Sequence, residues 1–397
     1  MPKQHLIVAF GGVSPEHEVS VLTAMQAIAA LEESDYRIVP LYITKGGHWL
    51  TGSNLLKLEN YKDLNTLKLE AVACTFSHDG MGRPVLLETE NSSFFTKARQ
   101  YPADVVLVAF HGSEGENGAF QGTCEMYNIP YTGSGVFASS IGMQKVKAKE
   151  LCRAHDIPVV EGLDFFESEW EENRKEYLQR FEELGYPLIV KPVNLGSSIG
   201  VARAETADEL IDAVETAFRY DANLMVEKAV APLMEINCSV LGDAENAKAS
   251  VCERPLGMSE TLSFQDKYQS DSGEGNKGMA SADREIPADI SEELTRQIRD
   301  LSLRVFRVFR ASGIARLDFL VKRDTGTVFF NEINTIPGSF SFYLWEESGL
   351  SFRAMLDEMI DIAKEGHRRK NGRIRSYDTN LLSEKAVRGI KGLKGSK

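Results

Sequence analysis

Apolar and polar positions in the first third of the chain alternate in the manner of a parallel β-sheet. Apolar runs predict three strands, at residues 5–11, 37–44 and 103–112. Residues 14–31 place apolar side chains at helical spacing, with Ser14 as the expected N-cap and Pro15 in the first turn. In such sheets ligands bind at the carboxyl ends of the strands, where Gly11-Gly12 and His111-Gly112 lie. The polar segment 45–100 predicts no topology.

The rest of the chain predicts two further units. The first has a helix at 140–157, a strand, glycine-rich loop and strand over 186–204, a helix at 206–220 and a strand at 222–230. The second has strands at 235–241 and 248–254, a polar stretch at 258–284, a helix at 291–312, and strands at 314–322 and 327–333. We therefore expect an α/β protein with an N-terminal domain (1–138), a central lobe (139–226), a C-terminal lobe (227–365) and a tail (366–397).

Composition and charge exclude several classes of protein. No apolar run among the 397 residues is long enough to span a membrane. The net charge of −13 argues against nucleic-acid binding by the body of the protein. The tail 366–397 is basic, with ten Lys or Arg against two acidic residues, and is either a site for an anionic surface or simply solvated. Five scattered cysteines without a CxxC pair and a start without a signal-peptide pattern predict reduced thiols and a cytoplasmic location.

Lys191 and the loop after it are the first candidate chemistry. The apolar run 188–190 ends at Lys191-Pro192, and the loop "NLGSSIG" (194–200) follows. The backbone N–H groups of such a loop can turn toward an anion, as phosphate-binding loops do. The pattern is not a P-loop, because GxxxxGK[ST] is lacking and the lysine precedes the glycines. The alternative is an ordinary hairpin turn with an exposed lysine.

The segment "FFNEINTIPG" (329–338) ends a predicted strand with Glu332 and Asn334, and Asp318 lies on the strand before it. A hairpin of these two strands would bring the three side chains together on one face. Buried carboxylates need a cation, and an oxygen-only set suits Mg²⁺. Arg316 would point to the same face and stabilise a developing oxyanion, with Pro337-Gly338 turning a backbone N–H toward the reacting group. The alternative is a structural ion pair of Arg316 with Asp318 or Glu332.

Seven segments, in order along residues 5–365, resemble the D-alanine–D-alanine ligase family of the ATP-grasp superfamily. They are "GGVSPEHEVS" (11–20), "FHGSEGENGAFQG" (110–122), "IPYTGSGVFASSIGMQK" (129–145), "VKPVNLGSSIGV" (190–201), "DKY" (266–268), "ARLDF" (315–319) and "NEINTIPG" (331–338). The resemblance implies an ATP-grasp fold preceded by a Rossmann-like parallel-sheet domain. It also implies a ligase that joins two D-alanines, with ATP and two Mg²⁺ ions (or Mn²⁺) as cofactors, in peptidoglycan synthesis.

The resemblance also implies roles for individual residues. Lys145 and Lys191 are implied to contact the phosphates of ATP, and Lys267 to close over the γ-phosphate; Ser198 is also implied to bind ATP. Glu227, Lys228 and Val230 belong to the segment implied to hold adenine. Glu235 is implied to bind the ribose, although "APLMEI" is one residue longer than usual before it. Asp318, Glu332 and Asn334 are the implied metal ligands. Arg316 and the Gly338 backbone are the implied oxyanion-stabilising pair. The implied partners of the first D-alanine are Glu16, Ser197 and Tyr268, with Val19, His111 and Glu116 lining the same subsite.

The mechanism that the resemblance implies has two steps. The carboxylate of the first amino acid attacks the γ-phosphate to give an acylphosphate, and the amine of the second then displaces phosphate. A lid must exclude water from the acylphosphate, and the polar stretch 263–281, which carries Lys267, is the expected lid. Members of the family are commonly homodimers.

The sequence departs from the family pattern at the subsite for the second amino acid. In "SFSFYLWEESG" (339–349), Leu344 fits, but Tyr343 stands where a serine is expected to receive the second carboxylate. The bulky Phe340, Phe342 and Trp345 either fill the core or change specificity. The lid also has Phe264-Gln265 where an aromatic and an acidic residue are common. The acceptor is therefore open among D-alanine, D-serine, D-lactate and related acids, with Tyr268 favouring an amino acid over a hydroxy acid.

Two other classes of function are alternatives. A dinucleotide-binding oxidoreductase would use the glycines after strand 5–11, but the chain lacks GxGxxG there. A non-catalytic nucleotide-binding regulator would need no oxyanion donor such as Arg316.

Overall fold

The computed structural model describes residues 3–89, 98–196, 198–256 and 284–375. These residues form three units, each built around its own β-sheet of seven, four or five strands. No helix within the described ranges is both long and apolar enough to cross a membrane.

The N-terminal sheet contains the predicted parallel strands. β1 (Gln4–Gly11) pairs in parallel with β2 (Tyr36–Ile43) on one side and β7 (Val105–Val108) on the other. Helix α1 (His17–Ala30) connects β1 to β2, as expected. The helix begins later than predicted, since Ser14 does not cap it. The Ser14 hydroxyl instead accepts the backbone N–H of Glu16 at 3.1 Å, within the turn before the helix.

The segment 45–100, for which the sequence predicted no topology, extends this sheet. It adds four short strands: β3 (Trp49–Thr51), β4 (Val72–His78), β5 (Pro84–Glu88) and β6 (Gln100–Pro102). Each pairs antiparallel with its neighbour, so the order is β6-β5-β4-β3-β2-β1-β7. Two 3₁₀ turns (Ser53–Leu56 and Leu58–Lys62) and helix α2 (Leu64–Glu70) separate β3 from β4. The N-terminal sheet is therefore mixed, with only its β2-β1-β7 part parallel.

The chain between the first and second units is helical. α3 (Ser113–Glu116) and α4 (Ala119–Tyr127) follow β7, and α5 (Val136–Met143) and α6 (Lys145–Arg153) come next. The predicted single helix at 140–157 is wrong, because Gln144 leaves helical geometry. The Gln144 side chain accepts the N–H of Lys147 and so caps α6. Ala138, Ala148 and Cys152 pack into the core of the C-terminal sheet.

The central unit is an antiparallel sheet of order β10-β9-β11-β8. Its elements are β8 (Gly162–Phe166), α7 (Glu167–Leu184), β9 (Leu188–Pro192), β10 (Ala202–Ala204), α8 (Ala207–Ala217) and β11 (Asn223–Lys228). The strand–loop–strand prediction over 186–204 is confirmed by the β9–β10 pairing. β8 and α7 were not predicted. Apolar side chains of both helices cover one face of this sheet, around Phe165 and Phe181.

The C-terminal sheet has the order β14-β13-β12-β15-β16. Its strands are β12 (Leu233–Gly242), β13 (Ala247–Pro255), β14 (Arg284–Glu285), β15 (Gly313–Lys322) and β16 (Thr327–Asn334). Helix α9 (Glu292–Val308) packs against it, with Ile298, Val305 and Phe306 fully buried. The chain then forms a 3₁₀ turn (Gly338–Ser341), α10 (Phe342–Glu346) and α11 (Phe352–Asn371).

Helix α11 follows the C-terminal sheet in the sequence but packs in the core of the N-terminal unit. Its buried side chains Met355, Leu356, Met359 and Ile360 belong to the same apolar cluster as β1 and α1. The helix contacts α1 and β7 on one side and β12 and β15 on the other. The core of the N-terminal unit is therefore completed by residues from the far end of the sequence.

Candidate functional site

The hairpin of β15 and β16 brings the predicted metal ligands together. Asp318 lies directly opposite Glu332, and Arg316 opposite Asn334, in an antiparallel register with an irregularity after Asp318. The Asn334 amide donates to the Asp318 carboxylate at 3.0 Å. Alternation along both strands turns these polar side chains to one face, while Leu317, Phe319 and Ile333 enter the core on the other.

Arg316 forms the ion pair that was the alternative interpretation of this residue. Its guanidinium donates to both carboxylate oxygens of Asp318, at 2.7 and 2.8 Å. Burial raises the pKa of Asp318, Arg316 opposes that increase, and the carboxylates of Glu332 and Glu253 add to it. Negative charge is therefore concentrated at this face, and a cation would offset it.

The residues at this face fit a hard divalent cation. Asp318, Glu332 and Asn334 offer carboxylate and amide oxygens, the donor set that Mg²⁺ prefers. No three His, Cys, Asp or Glu side chains in the described ranges cluster in a way that could hold a metal on their own. These residues would therefore hold the ion together with oxygens of a nucleotide.

Lys191, at the end of β9, faces the hairpin from the central unit. Its ammonium lies 2.7 Å from the Glu227 carboxylate and donates to the Asn331 side-chain oxygen at 3.2 Å. The other oxygen of Glu227 is paired with Lys149 of α6. We call Lys149, Glu227 and Lys191 the lysine–glutamate bridge. Burial opposes ionisation of Glu227, but the two lysines outweigh it and lower the pKa of Glu227 to about 2. Burial lowers the pKa of Lys191, but the carboxylates of Glu227, Glu332 and Glu235 together outweigh it and raise that pKa.

Lys145 and the glycine-rich loop lie beside this bridge. Lys145 begins α6, its ammonium donates to the Leu195 carbonyl, and its backbone N–H donates to the Val193 carbonyl at 3.2 Å. Burial lowers the pKa of Lys145; the charge of Lys191 lowers it further, and among the carboxylates that raise it Glu332 has the largest effect. Both predicted phosphate-binding lysines and the predicted metal ligand Glu332 are therefore within electrostatic range of one another.

Glu16, from the loop between β1 and α1, lies next to the glycine-rich loop. A Cβ built on Gly112 would lie 2.6 Å from a Glu16 carboxylate oxygen, and one on Gly196 would lie 3.4 Å from it. Gly112 follows β7 and Gly196 belongs to the glycine-rich loop. The Glu16 carboxylate thus bridges the edge of the N-terminal sheet and the loop of the central unit. Val19, one helical turn on, is half-buried.

Glu116 and His111 complete the N-terminal side of the site. The Glu116 carboxylate accepts N–H groups from Gly112 at 3.0 Å and Ile336 at 3.4 Å. Burial, together with the negative charge of Glu16, raises the pKa of Glu116 to about 8. We call Glu16 and Glu116 the acidic pair.

His111 is buried and electrically neutral at physiological pH. Its Nε2 lies 2.8 Å from the Thr23 hydroxyl, which also accepts the Ser339 N–H at 3.1 Å. Burial and the nearby Arg316 lower its pKa to about 4. His111 therefore links α1 to the turn after β16 rather than supplying a charge.

In the segment predicted to hold adenine, one side chain is already engaged by other residues of the protein. The Glu227 side chain is turned into the lysine–glutamate bridge, so a contact with adenine falls to the backbone at this position. The Lys228 N–H donates to the Glu161 carbonyl at 3.0 Å, and its side chain is exposed. Val230 is half-buried after the strand. The negative charge of Glu235, on β12, acts on the ammonium of Lys191, so the two side chains lie within electrostatic range of each other.

Tyr343 and its neighbours occupy the region of the predicted second subsite. Tyr343 is 9% exposed, its hydroxyl lies 3.4 Å from Glu253, and the Arg284 guanidinium lies 4.4 Å above its ring. Arg284 is also paired with Glu253 at 2.9 Å. Leu344 is fully buried in α10 and points into the core. Burial and the Glu253 carboxylate raise the pKa of Tyr343, so its hydroxyl stays protonated.

The turn between β16 and α10 has an unusual backbone. Gly338 is buried, and the next three residues, Ser339, Phe340 and Ser341, all have positive φ angles of 50–52°. Non-glycine residues rarely adopt this left-handed conformation, which costs about 1–2 kcal/mol each. Such strain concentrates at functional sites, and here it directs the chain past His111 and Thr23.

Three predicted site residues, Ser197, Lys267 and Tyr268, lie outside the described residues, as do the expected lid 263–281 and most of the basic tail. Four other residues at the site were not predicted from the sequence: Thr23, Lys149, Glu253 and Arg284. Of these only Lys149 had a usable signal, because it lies four residues after Lys145 and so on the same face of α6.

Comparisons with known proteins show the family to which the chain belongs. The family descriptions "D-ala D-ala ligase N-terminus" and "D-ala D-ala ligase C-terminus" match residues 5–134 and 151–361. The D-alanine–D-alanine ligase of Thermosipho melanesiensis is 37% identical over 382 residues, which cover 95% of this chain and 98% of that protein.

Solved structures support the same grouping. The D-alanine-D-alanine ligase from Coxiella burnetii superposes with a TM-score of 0.77 at 29% identity and covers both chains fully. The VanG D-Ala:D-Ser ligase from Enterococcus faecalis gives 0.75 at 27% identity, covering 91% of this chain and 99% of that one. The likeness confirms the expected ATP-grasp fold with its Rossmann-like N-terminal domain and gives no support to an oxidoreductase. The chain therefore belongs to the D-alanine–D-alanine ligase family.

Proposed function

We propose that this protein joins two molecules of D-alanine and cleaves ATP to ADP and phosphate in doing so. The observation that supports this most strongly is the meeting of three sets of side chains from three units of the fold. The acidic pair comes from the N-terminal unit, Lys191 lies in β9 of the central sheet with Lys145 of α6 beside it, and the Arg316–Asp318 hairpin belongs to the C-terminal sheet.

Each set has the charge that one reacting group needs. The acidic pair suits the ammonium group of the first D-alanine, and the lysines suit the phosphates of ATP. Asp318, Glu332 and Asn334 would hold Mg²⁺, which when bound offsets the charge of the triphosphate. Arg316, oriented by Asp318, is suited to stabilise the oxyanion of the tetrahedral intermediate.

The reaction has two balanced steps. A carboxylate oxygen of the first D-alanine attacks the γ-phosphorus, so that a C–O–P linkage forms and ADP leaves. The amine nitrogen of the second D-alanine then attacks the acyl carbon, loses a proton, and phosphate leaves as the peptide bond forms. The site must exclude water between the steps, because water would hydrolyse the acylphosphate.

Phosphate release with ATP, Mg²⁺ and D-alanine alone tests the proposal, with mass spectrometry of the dipeptide. We expect turnover, and we expect Arg316→Ala to lower kcat by about 100-fold or more with little change in ATP affinity. Arg323→Ala is the matched control, because Arg323 is exposed at the end of the same strand. Absence of phosphate release with every D-amino acid tested would refute the ligase activity.

A second candidate keeps the chemistry and changes the acceptor to D-serine or D-lactate. The observation that favours it is Tyr343, which replaces the expected serine and is held by Glu253 beneath Arg284. The structural relative VanG is named a D-Ala:D-Ser ligase. Competition between D-alanine and D-serine or D-lactate as second substrate, scored by product mass, separates the two. A mixed product in large excess over D-alanyl-D-alanine would favour the second candidate.

The same proposal covers location and partners. A cytoplasmic enzyme is supported by five cysteines that are all free and buried among the described residues. ATP and D-alanine are the proposed small-molecule partners, and a homodimer is proposed from the family resemblance. Sedimentation of the full chain at several concentrations tests the dimer, which a constant monomer mass would contradict.

A further inference from the structure

Lys149 is a buried lysine to which the proposed reaction assigns no part. Its side chain, on α6, is only 1% exposed. Its ammonium pairs with one oxygen of Glu227, whose other oxygen lies 2.7 Å from the Lys191 ammonium. One carboxylate thus joins two lysines that are 42 positions apart in the sequence and belong to different elements.

The ion pair is not what a stable core requires. Taking a charged lysine and glutamate out of water is costly, and well-packed apolar side chains of similar size are often at least as stabilising. Burial correspondingly lowers the pKa of Lys149 to about 8, even with Glu227 beside it. A function other than packing therefore accounts better for the charge at this position.

The charge count of the lysine–glutamate bridge indicates that function. Two ammonium groups share one carboxylate, so the bridge as a whole carries one positive charge. Without Lys149 the carboxylate of Glu227 would be left to Lys191 alone, and the pair would be neutral. Lys191 also donates to Asn331 at 3.2 Å, so its ammonium is oriented from two sides toward the hairpin of β15 and β16.

We propose that Lys149 is a positioning residue, which through Glu227 keeps Lys191 oriented and the bridge positively charged, so that Lys191 can hold the phosphates of the nucleotide. This inference rests on the proposed function, since it assumes that Lys191 contacts ATP. Lys149 itself lies behind Glu227 and makes no contact with substrate in this scheme.

The first experiment replaces Lys149 with methionine, which keeps the length of the side chain and removes its charge. We expect the Kd for MgADP, measured by titration calorimetry, and the KM for ATP to rise about tenfold, with the KM for D-alanine little changed. The matched control is Lys147→Met on the same helix. Lys147 is exposed and pairs only locally, with Glu150 at 2.8 Å, so its replacement should leave both values unchanged. Wild-type MgADP affinity in folded Lys149→Met protein would overturn the inference.

A double variant separates charge from packing. In Lys149→Met/Glu227→Gln the carboxylate that would neutralise Lys191 is gone, so we expect MgADP affinity to recover part of the loss seen in Lys149→Met. A purely structural role predicts the opposite, since each replacement then removes one more contact. Affinity lower in the double variant than in Lys149→Met would therefore also overturn the inference.

A substitute variant and the wild-type protein provide two further tests. Should Lys149→Met fail to fold, Lys149→Gln takes its place, because glutamine can still hydrogen-bond Glu227 without charge, and the same loss of MgADP affinity is expected. Unchanged affinity there overturns the inference. Binding of MgADP is independent of the amino acids joined. A wild-type protein inactive with D-alanine that still shows the Lys149 effect would refute the proposed function and leave this inference standing.

Discussion

Glu116 and Glu227 are both buried glutamates at the edges of the same cleft, yet their carboxyl groups have opposite chemistry. Burial and the Glu16 carboxylate raise the pKa of Glu116 to about 8, whereas two lysines lower that of Glu227 to about 2. The acidic pair carries surplus negative charge or an extra proton, and the lysine–glutamate bridge carries surplus positive charge. Each surplus is opposite to the charge of its expected ligand, an ammonium group in one case and a phosphate in the other.

The comparison teaches that burial alone does not reveal the role of a carboxylate. Glu227 is satisfied by protein cations and orients one of them, so it serves its neighbours. Glu116 is stabilised by two backbone N–H groups and repelled by a second carboxylate, so its site is best completed by an incoming cation. Four substitutions test this contrast.

The largest effect is expected from Lys191→Met, which removes the surplus charge of the lysine–glutamate bridge. We expect kcat/KM for ATP to fall by about 100- to 1000-fold, in line with the loss of a group that stabilises transferring phosphate. Steady-state phosphate release measures it. Lys175→Met, on the exposed face of α7, serves as the control. A fall of less than threefold would mean that the bridge does not serve the nucleotide.

Glu116→Gln should remove a pH dependence of stability. The pKa of Glu116 is raised in the folded state, so the native protein binds the extra proton between the unfolded value near 4.5 and about 8. Wild-type stability should therefore fall as pH rises through this window, and between pH 5.5 and 7.5 the variant should gain about 2–3 kcal/mol relative to wild type. Urea unfolding at both pH values measures it. Glu114→Gln, exposed on the same short helix, is the control and should show the same dependence of stability on pH as wild type. If Glu116→Gln also shows the wild-type dependence, the pKa of Glu116 is not raised.

Gly112→Ala tests the close approach of Glu16. The new methyl group would lie 2.6 Å from oxygen atoms of Glu16 and Ser14, so the carboxylate must move. We expect the KM for D-alanine to rise about tenfold and stability to fall by about 1–3 kcal/mol. Gly82→Ala is the matched control, since Gly82 also has a positive φ but has nothing within 4 Å of the added carbon. Equal effects of the two replacements would show that only backbone strain is involved.

Ser339→Gly should have the smallest effect, because it relaxes strain and keeps the backbone bond to Thr23. We expect thermal unfolding to show a gain of about 0.5–1 kcal/mol. Asp156→Gly, at another position of positive φ, beyond the end of α6 opposite to Lys145, should gain a similar amount. Only the change at Ser339 should alter turnover, and unaltered turnover would separate the strained turn from the chemistry.

The sequence was most informative where local pattern and chemistry coincide. Alternating apolar residues and a short turn predicted the β15–β16 hairpin, and its register brings Asp318, Glu332 and Asn334 together as expected. The glycine-rich loop between β9 and β10 was likewise visible, because strand, turn and strand follow each other directly.

Structural features that depend on residues distant in the sequence could not be predicted from local patterns. The short strands of the segment 45–100 have too few residues to show a period, and they are fixed by their neighbours in the sheet. The break at Gln144 depends on a side-chain cap inside an otherwise helical pattern. The segment that carries Glu227 was expected to hold adenine, and the pairing of the Glu227 side chain with Lys149, across 78 positions, can be seen only in the fold.

Helix α11 has a consequence for how the molecule is made. Because Met355, Leu356, Met359 and Ile360 pack in the same cluster as β1 and α1, part of the apolar surface of the N-terminal unit stays uncovered during synthesis until this helix has been made. A fragment that ends before residue 352 would therefore expose this apolar surface and aggregate instead of folding independently.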